Sequence, residues 1–124
     1  MNQIQKELET CLLEIHAESE QHAQARFRFP ATFAGFNGHF PGQPILPGIC
    51  MIQAVLCLLK SWKMSPVYLQ EIVLAKYYRA VTPKDTLEVD CQLTPDDLAS
   101  GRILAKLTSH DQRVAELKLS VSFS

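Results

Sequence analysis

The sequence has neither a long apolar run nor a cluster of like charges. Its longest nearly unbroken apolar stretch covers residues 49–59, far short of the roughly 20 residues that span a bilayer. Twelve basic residues balance 13 acidic ones across 124 positions, and no Lys/Arg cluster is present to attract a nucleic-acid backbone. The first residues lack the basic region and apolar segment of a secretory signal. We therefore expect a cytoplasmic protein that binds neither membranes nor nucleic acids.

Cysteines are few, and their spacing is not that of metal ligands. The sequence contains Cys11, Cys50, Cys57 and Cys91. They show no C-x-x-C spacing and no short-interval pairing with histidine, which argues against a zinc site and against a dense disulfide framework. We expect reduced, mostly buried thiols, and neither a metal nor another cofactor.

The composition is typical of one compact domain with a hydrophobic core. Hydrophobic residues make up 47% and charged residues 20% of the chain, close to the average for globular proteins. A length of 124 residues suits a single core, which is normally complete within about 100 to 200 residues. We expect one domain over residues 1–124.

Alternation of apolar and polar residues predicts several strands. A short helix over residues 2–13 is predicted ahead of them, from an apolar stripe formed by Ile4, Leu8 and Leu12. The predicted strands, each with one apolar face, cover residues 13–20, 22–29, 69–78, 87–93, 103–107 and 115–123. Residues 30–48 hold four of the seven prolines and four of the five glycines, which indicates an ordered loop.

The segment Ile49–Leu59 predicts a buried helix. Ten of its eleven residues are apolar, and only Gln53 interrupts them. A helix that is apolar on every face is normally enclosed by protein. Antiparallel strands with one apolar face each can bury such a helix by curling around it. We therefore predict an α+β fold in which an antiparallel sheet wraps a central helix.

The loop before this helix has the features of a reactive site. It reads Gly38-His39-Phe40-Pro41-Gly42-Gln43-Pro44-Ile45-Leu46-Pro47-Gly48. Prolines fix the backbone, glycines allow a ligand to approach closely, and a histidine can transfer protons near neutral pH. The helix beginning near Gly48 presents free N–H groups that can stabilise a carbonyl gaining negative charge. On the residues alone, His39 is either a base acting next to a carbonyl or a loop histidine hydrogen-bonded to one.

This loop resembles that of the hotdog-fold (3R)-hydroxyacyl-acyl-carrier-protein dehydratases, the FabZ/FabA-like family. Their hallmark is Gly-His-Phe-Pro-Gly-x-Pro-apolar-apolar-Pro-Gly, and His39 to Gly48 matches it almost residue for residue. The wider resemblance covers roughly residues 22–123. It implies a hotdog fold with the motif loop at 36–48 and the central helix at about 48–62. It also implies dehydration of 3-hydroxyacyl thioesters in fatty acid or polyketide synthesis.

The resemblance assigns catalysis to His39 and raises a question at Gln53. In the family, the histidine removes the proton alpha to the thioester, and a carboxylate fourteen residues later protonates the departing hydroxyl. Here that later position is Gln53, whose amide has no proton to deliver near neutral pH. The general-acid contribution of about 10²- to 10⁴-fold should be lost. We expect a weak or inactive homodimer, unless Gln53 is merely a core amide with satisfied hydrogen bonds.

The resemblance also implies a partner chain. The family's active sites lie at a dimer interface, with the histidine from one chain and the acid from the other. The chain is therefore expected to form a homodimer, or a heterodimer with another hotdog subunit whose Glu or Asp completes a site with His39. Heteromeric pairs resembling those of aryl-polyene pathways would suit it. The resemblance further gives Gly48, Phe40 and Pro47 oxyanion or substrate-binding roles.

Several other residues are weaker candidates. Phe40, Tyr77 and Tyr78 either line an acyl tunnel or belong to an ordinary core or interface. Basic residues outnumber acidic ones by 11 to 8 beyond residue 24, and a basic surface can attract an acidic carrier protein. The candidate carrier-protein contacts are Lys76, Arg79 and Lys84, which are otherwise ordinary solvated charges.

Two other functions fit the hotdog resemblance. A hotdog acyl thioesterase would attack the thioester carbonyl with a carboxylate or a positioned water, and the elimination-type loop around His39 argues against it. A non-catalytic acyl-thioester-binding subunit is favoured by Gln53 and disfavoured by the retained loop. Release of free thiol from acyl thioesters would distinguish the first of these from a dehydratase.

Overall fold

The computed structural model describes residues 3–36, 42 and 44–123. Within these residues the chain forms two α-helices, one 3₁₀ turn and six strands. In chain order they are α1 (Gln3–Cys11), β1 (Leu12–Ala17), β2 (His22–Arg28), the 3₁₀ turn (Ala34–Phe36), α2 (Gly48–Lys63), β3 (Val67–Tyr77), β4 (Thr86–Pro95), β5 (Ser100–Ser109) and β6 (Gln112–Phe123). Neither described helix is both long and apolar enough to cross a membrane.

All six strands join one antiparallel sheet in the order β1-β2-β4-β5-β6-β3. Each central strand turns its apolar residues to the helix side, as the alternation predicts. On β2, for example, Ala23, Ala25 and Phe27 are buried, whereas Gln24 and Arg26 are exposed. The expected antiparallel sheet packed around a helix is confirmed.

The central helix α2 begins and ends where its sequence changes character. Pro47 precedes it in an extended conformation (φ −63°, ψ 148°), and Met64 ends it in the left-handed region (φ 50°, ψ 46°). Lys60 and Lys63 lie in the last turn, where positive charge favours the helix dipole. The predicted helix over 49–59 is confirmed and extends at both ends. Its core-facing side buries Met51, Ile52, Val55, Leu58 and Leu59.

The expectation that α2 is enclosed is confirmed over residues 49–59 except at Ile49 and along one partly buried flank. Ile49 is 53% exposed at the first turn, and the flank carrying Gln53, Leu56 and Cys57 borders a cavity. The sheet covers one side of the helix and α1 covers only part of another. The uniform apolarity of α2 therefore does not mean that the chain's own sheet buries every face of the helix.

The two edges of the sheet are β1 and β3. β3 is eleven residues long and its pairing with β6 is interrupted twice, between Leu69 and Glu71 and between Ile72 and Leu74. Such β-bulges bend a strand and increase its twist. Large apolar side chains on β3 remain exposed, namely Tyr68, Ile72, Val73 and Tyr77.

Some predicted boundaries differ from the observed ones. The N-terminal helix ends at Cys11, and β1 runs only to Ala17. Glu7 accepts a 2.9 Å hydrogen bond from the backbone N–H of Ala34 and so ties α1 to the 3₁₀ turn. β4 continues through Pro95, beyond the predicted start of the loop, because residues 94 and 95 still pair with β5.

Candidate active site

The catalytic candidate His39 lies outside the described residues, and so does Phe40. Their roles therefore stay predictions. The described chain resumes continuously at Pro44, and the backbone N–H of Leu46 donates a 2.8 Å hydrogen bond to the carbonyl of Val81. This bond fixes the entry to α2 against the segment that follows β3.

The N-terminus of α2 is not capped by a described side chain. Gly48 is its first residue, and the extended Pro47 precedes it without a side-chain cap hydrogen bond. The N–H of Cys50 bonds back to the carbonyl of Pro47 at 3.0 Å. The first N–H groups of a helix have no partner within it and carry the positive end of the dipole. This arrangement suits an oxyanion role for the backbone at Gly48; Pro47 has no N–H to donate, so of the two predicted roles only substrate binding is open to it.

Tyr77 at the end of β3 packs directly against this helix start. A Cβ atom built on Gly48 would lie 2.6 Å from Tyr77 Cζ and 2.8 Å from its hydroxyl oxygen. Only glycine fits there without displacing the ring. Burial raises the pKa of Tyr77, so its hydroxyl stays protonated and able to donate a hydrogen bond. The sequence singled out both residues, but nothing in it predicted this contact.

A cavity of about 920 Å³ lies between α1, α2 and the start of β3. Its size is that of a typical ligand site. Gln53 is on its wall, as expected, whereas neither Tyr77 nor Tyr78 lines it. The lining residues are Gln5, Leu8, Glu9, Gln53, Leu56, Cys57, Lys60, Ser61, Met64, Ser65, Pro66, Val67 and Tyr68.

The Gln53 side chain has a buried hydrogen-bond acceptor without a partner among the described residues. Its Oε1 atom is shielded from solvent and accepts no hydrogen bond from the described part of the chain. Leaving a buried acceptor unpaired costs about 1–3 kcal/mol. The interpretation of Gln53 as a core amide with satisfied hydrogen bonds is therefore wrong for this oxygen. A hydrogen-bond donor from outside the described residues would recover that cost.

The mouth of the cavity carries charge, and its thiol is unreactive. Lys60 Nζ lies 3.3 Å from Glu9 Oε1, and both side chains are half exposed. Burial, with a contribution from Glu9, raises the pKa of Cys57 to about 11. Thiols of high pKa hold little of the nucleophilic thiolate at neutral pH. Cys57 is thus a packing residue, as expected, and burial raises the pKa of Cys91 to about 12 as well.

The three basic candidates are all exposed near the end of β3 and the turn after it. Lys76 lies opposite Glu116 across the β3–β6 pair, which partly offsets its charge. Arg79 donates its backbone N–H to the Val114 carbonyl, and Lys84 lies in the following turn. Arg113, which no sequence motif marks, also belongs to this surface, and its guanidinium carbon lies 4.5 Å from the centre of the Tyr78 ring. The contact between Arg113 and Tyr78 depends on strand register, so the sequence alone could not predict it.

A polar cluster braces the turn that carries Lys84. Asp85 accepts hydrogen bonds from the backbone N–H and the hydroxyl of Thr82 at 2.9 and 3.1 Å, and its other oxygen lies 2.9 Å from His110 Nε2. Burial opposes ionisation of Asp85, but these hydrogen bonds outweigh it and lower its pKa. The cluster therefore joins the turn to the β5–β6 connection.

Comparison with known proteins gives consistent matches. A family model described as ApeI dehydratase, of the ApeI-like type, matches residues 15–118. A 3-hydroxyacyl-[acyl-carrier-protein] dehydratase FabZ of Latilactobacillus sakei is 32% identical over 81% of this chain and 78% of the relative. Other curated relatives of the same name are 30–44% identical, and the chain spans 40–68% of their length, less than two thirds for most.

Solved structures share the fold at low sequence identity. The dehydratase heterocomplex ApeI:P from Xenorhabdus doucetiae aligns with a TM-score of 0.78 and 20% identity, over 90% of this chain and 96% of that one. A hypothetical thioesterase from Streptococcus pneumoniae aligns with a TM-score of 0.68 and 8% identity, over 96% and 95%. These similarities confirm the hotdog fold.

Proposed function

The chain belongs to the ApeI-like family of dehydratases, and from that premise we propose that it is a (3R)-hydroxyacyl-acyl-carrier-protein dehydratase-like subunit. Its substrates are 3-hydroxyacyl and enoyl thioesters of fatty acid or polyketide synthesis. The names of its relatives support this substrate class. A cytoplasmic location stays a prediction.

One observation carries the proposal that this chain is a subunit and does not act alone. Gln53 stands at the position of the family's general acid and is on the cavity wall, and its Oε1 atom is buried without a hydrogen-bond partner among the described residues. Gln53 thus borders the cavity, but its amide has no acidic proton like that of the carboxyl group found at this position in the family. An amide can hold a hydroxyl by a hydrogen bond, yet it cannot protonate a departing one.

The proposed reaction divides the catalytic work between two chains. His39 removes the proton alpha to the thioester carbonyl, and the electrons of that C–H bond form the C=C bond as the C3–O bond breaks. The departing hydroxyl takes its proton from a carboxyl group of the partner and leaves as water. The uncapped N-terminus of α2 at Gly48 stabilises the charge that develops on the carbonyl oxygen.

The unpaired edge of β3 supports the required partnership. Ile72, Val73 and Tyr77 are 44%, 57% and 46% exposed along it, and an apolar edge strand is a ready site for pairing with another chain. The proposed partner is a second copy or another hotdog subunit that supplies the acid. The similar solved structure from Xenorhabdus doucetiae is by name a dehydratase heterocomplex, which supports the mixed arrangement.

Delivery of the substrate is proposed to use the basic surface beside β3. Lys76, Arg79 and Lys84 are exposed there, together with Arg113. An acidic carrier protein would be attracted to such a surface and oriented by it. Because Tyr77 packs against the start of α2 near this surface, a docked carrier would lie close to the oxyanion site.

Restoring the missing proton donor tests the proposed function. Gln53→Glu should raise hydration or dehydration of a carrier-bound 3-hydroxyacyl/enoyl pair by roughly 10-fold or more, given the size of general-acid contributions. Adding His39→Ala should abolish that gain. The matched control is Gln92→Glu, at an exposed position on β4 outside the cavity.

Three results would contradict the proposal. One is a wild-type homodimer that turns over at a full enzymatic rate, with Gln53→Glu making no difference. A second is release of free thiol from acyl thioesters, which would indicate the thioesterase alternative. Activity that remains absent in Gln53→Glu mixed with every hotdog partner tried would favour the non-catalytic binding subunit.

A further inference from the structure

The hydroxyl group of Tyr77 lies beside the proposed oxyanion site, and the proposed reaction leaves it without a role. We propose that it donates a second hydrogen bond to the thioester carbonyl oxygen, next to the one from the backbone N–H of Gly48. The inference rests on the proposed function for its substrate class. It assigns Tyr77 a catalytic role that the sequence did not predict.

The first support is the position of the hydroxyl at the start of α2. A Cβ atom on Gly48 would lie 2.8 Å from the Tyr77 hydroxyl oxygen. Standard bond lengths put a Cβ atom about 2.5 Å from its own nitrogen, so the hydroxyl oxygen is within about 5.3 Å of the Gly48 nitrogen. One acceptor can bond to two donors up to about 5.7 Å apart, since each bond is about 2.7 to 3.0 Å long. A single carbonyl oxygen can therefore accept from both groups.

The second support is that the Tyr77 ring is fixed before any ligand binds. Tyr77 pairs with Ala115 of β6, and the next residue along the chain donates its backbone N–H to the Val114 carbonyl at 2.8 Å. The ring packs so closely on Gly48 that a Cβ atom there would overlap it. Donors that are already in place stabilise developing charge well, because they do not have to reorient during the reaction.

The third support is the protonation state of the hydroxyl. Burial raises the pKa of Tyr77 above its ordinary value of about 10, so the hydroxyl keeps its proton at neutral pH. A neutral phenol can donate a hydrogen bond to an oxygen that gains negative charge. The backbone at position 47 cannot supply this second bond, because proline has no N–H.

The inference divides the stabilisation of the carbonyl oxygen between two elements. Gly48 begins α2, whereas Tyr77 ends β3, the edge strand that is proposed to pair with a partner. A hydrogen bond that strengthens as charge develops stabilises the transition state more than the bound substrate. Loss of the hydroxyl should therefore lower kcat more than it changes KM.

A spectroscopic measurement that needs no turnover tests the contact itself. A saturated acyl pantetheine thioester with a ¹³C-labelled carbonyl is bound to the full chain, and its C=O stretch is recorded by difference infrared spectroscopy. Hydrogen bonds to the oxygen lower this frequency. The band should therefore move to higher wavenumber in Tyr77→Phe, which keeps the ring and removes only the hydroxyl. Tyr78→Phe, at the neighbouring ring that packs on Arg113, should leave the band at its wild-type position.

The same two substitutions, added to Gln53→Glu, give a kinetic test with a pantetheine-bound 3-hydroxyacyl substrate. Tyr77→Phe should lower kcat at least 10-fold and change KM less than 3-fold, since loss of one oxyanion donor can cost about 10²- to 10³-fold in kcat. Tyr78→Phe should change neither value more than 2-fold.

A carbonyl band that does not move in Tyr77→Phe, or that moves equally in Tyr78→Phe, would overturn the inference. The absence of any bound thioester would overturn it too, as would an unchanged kcat in an active Gln53→Glu chain. A Tyr77-dependent band in a chain that stays inactive with Gln53→Glu would uphold the inference while the dehydratase proposal failed. An active Gln53→Glu chain in which Tyr77→Phe changes neither the band nor kcat would do the reverse.

Discussion

The two edges of the sheet differ in length and in chemistry. β1 has six residues. Its Glu14 forms an ion pair of 2.9 Å with Arg26 of the neighbouring strand β2. β3 has eleven residues and leaves large apolar side chains exposed, among them Ile72 and Val73. Charges and shortness are common protections of an edge against pairing with other chains. β1 is short and exposes two large apolar side chains, Leu13 and Ile15, whereas β3 is longer and exposes four. β3 therefore offers the larger apolar edge to a partner.

The features of the candidate site lie on the β3 side of the molecule. Tyr77 of β3 packs against Gly48 at the start of α2, and Val67 and Tyr68 of β3 line the cavity that contains Gln53. The edge that is open to a partner is therefore the edge from which the candidate site is built. Variants placed in pairs, one on the β3 side and one elsewhere, can test whether this coincidence is functional.

The largest effect is expected from a charge on the open edge. Ile72→Lys should raise the dissociation constant of the self-associated chain at least 100-fold, because a lysine at this half-exposed apolar position would be buried on pairing. Ile15→Lys on β1, where the native side chain is 39% exposed, should change it less than 3-fold. Sedimentation equilibrium measures both. A wild-type monomer at micromolar concentration, or equal effects of the two variants, would contradict the assignment of β3 as the partner edge.

A methyl group at the start of α2 should be the next most damaging change. Gly48→Ala should lower the free energy of unfolding by about 1–3 kcal/mol, because the added Cβ would overlap the Tyr77 ring. Chemical denaturation measures the loss. Adding Tyr77→Leu should recover part of it by removing the ring. An unchanged stability in Gly48→Ala would show that Tyr77 does not hold this position.

Charge reversal beside β3 should raise KM for a carrier-bound thioester more than KM for the same acyl group on pantetheine. Arg79→Glu should raise KM for a carrier-bound thioester by roughly 3- to 10-fold at low salt, with less effect at high salt, since the attraction is electrostatic. KM for the same acyl group on pantetheine should not change. Arg26→Glu, on the β1 side of the sheet, is the control. Equal effects on carrier and pantetheine substrates would exclude a docking role for Arg79.

The smallest expected effect concerns the turn after β3 and depends on pH. The pKa of Asp85 is lowered in the folded chain, so its ionised form stabilises the fold above its ordinary pKa of about 3.9 and this stabilisation is lost as pH falls through the lowered value. Asp85→Asn should therefore cost about 1 kcal/mol at pH 7 and progressively less below pH 4. Urea unfolding at several pH values measures this, with the exposed Asp111→Asn as control. A pH-independent difference would show that the charge of Asp85 is not what stabilises the turn.

Periodicity and composition were sufficient to predict most of the secondary structure. The strands follow from alternation because their helix-facing residues are buried and the opposite residues are exposed, as on β2. Gln53 could be predicted to face a cavity because it alone interrupts an apolar helix. The proposed roles of His39 and Phe40 are untested predictions, since both lie outside the described residues.

Contacts between distant segments could not be predicted from the sequence. The packing of Tyr77 on Gly48 and of Arg113 on Tyr78 depends on strand register, and the interruptions in β3 pairing shift that register. Apolarity alone also does not distinguish the partly buried flank of α2 from its fully buried side.

Pairing along β3 would also link the abundance of this protein to that of the proposed partner. A partner that binds only the folded chain adds about 2.7 kcal/mol to its stability when present at 100 times the dissociation constant. Without such a partner, the apolar β3 edge would stay exposed to solvent, and the chain would spend more time in open states that are cleaved by proteases or aggregate. The amount of folded protein in a cell would then follow the supply of the partner and not the rate of its own synthesis.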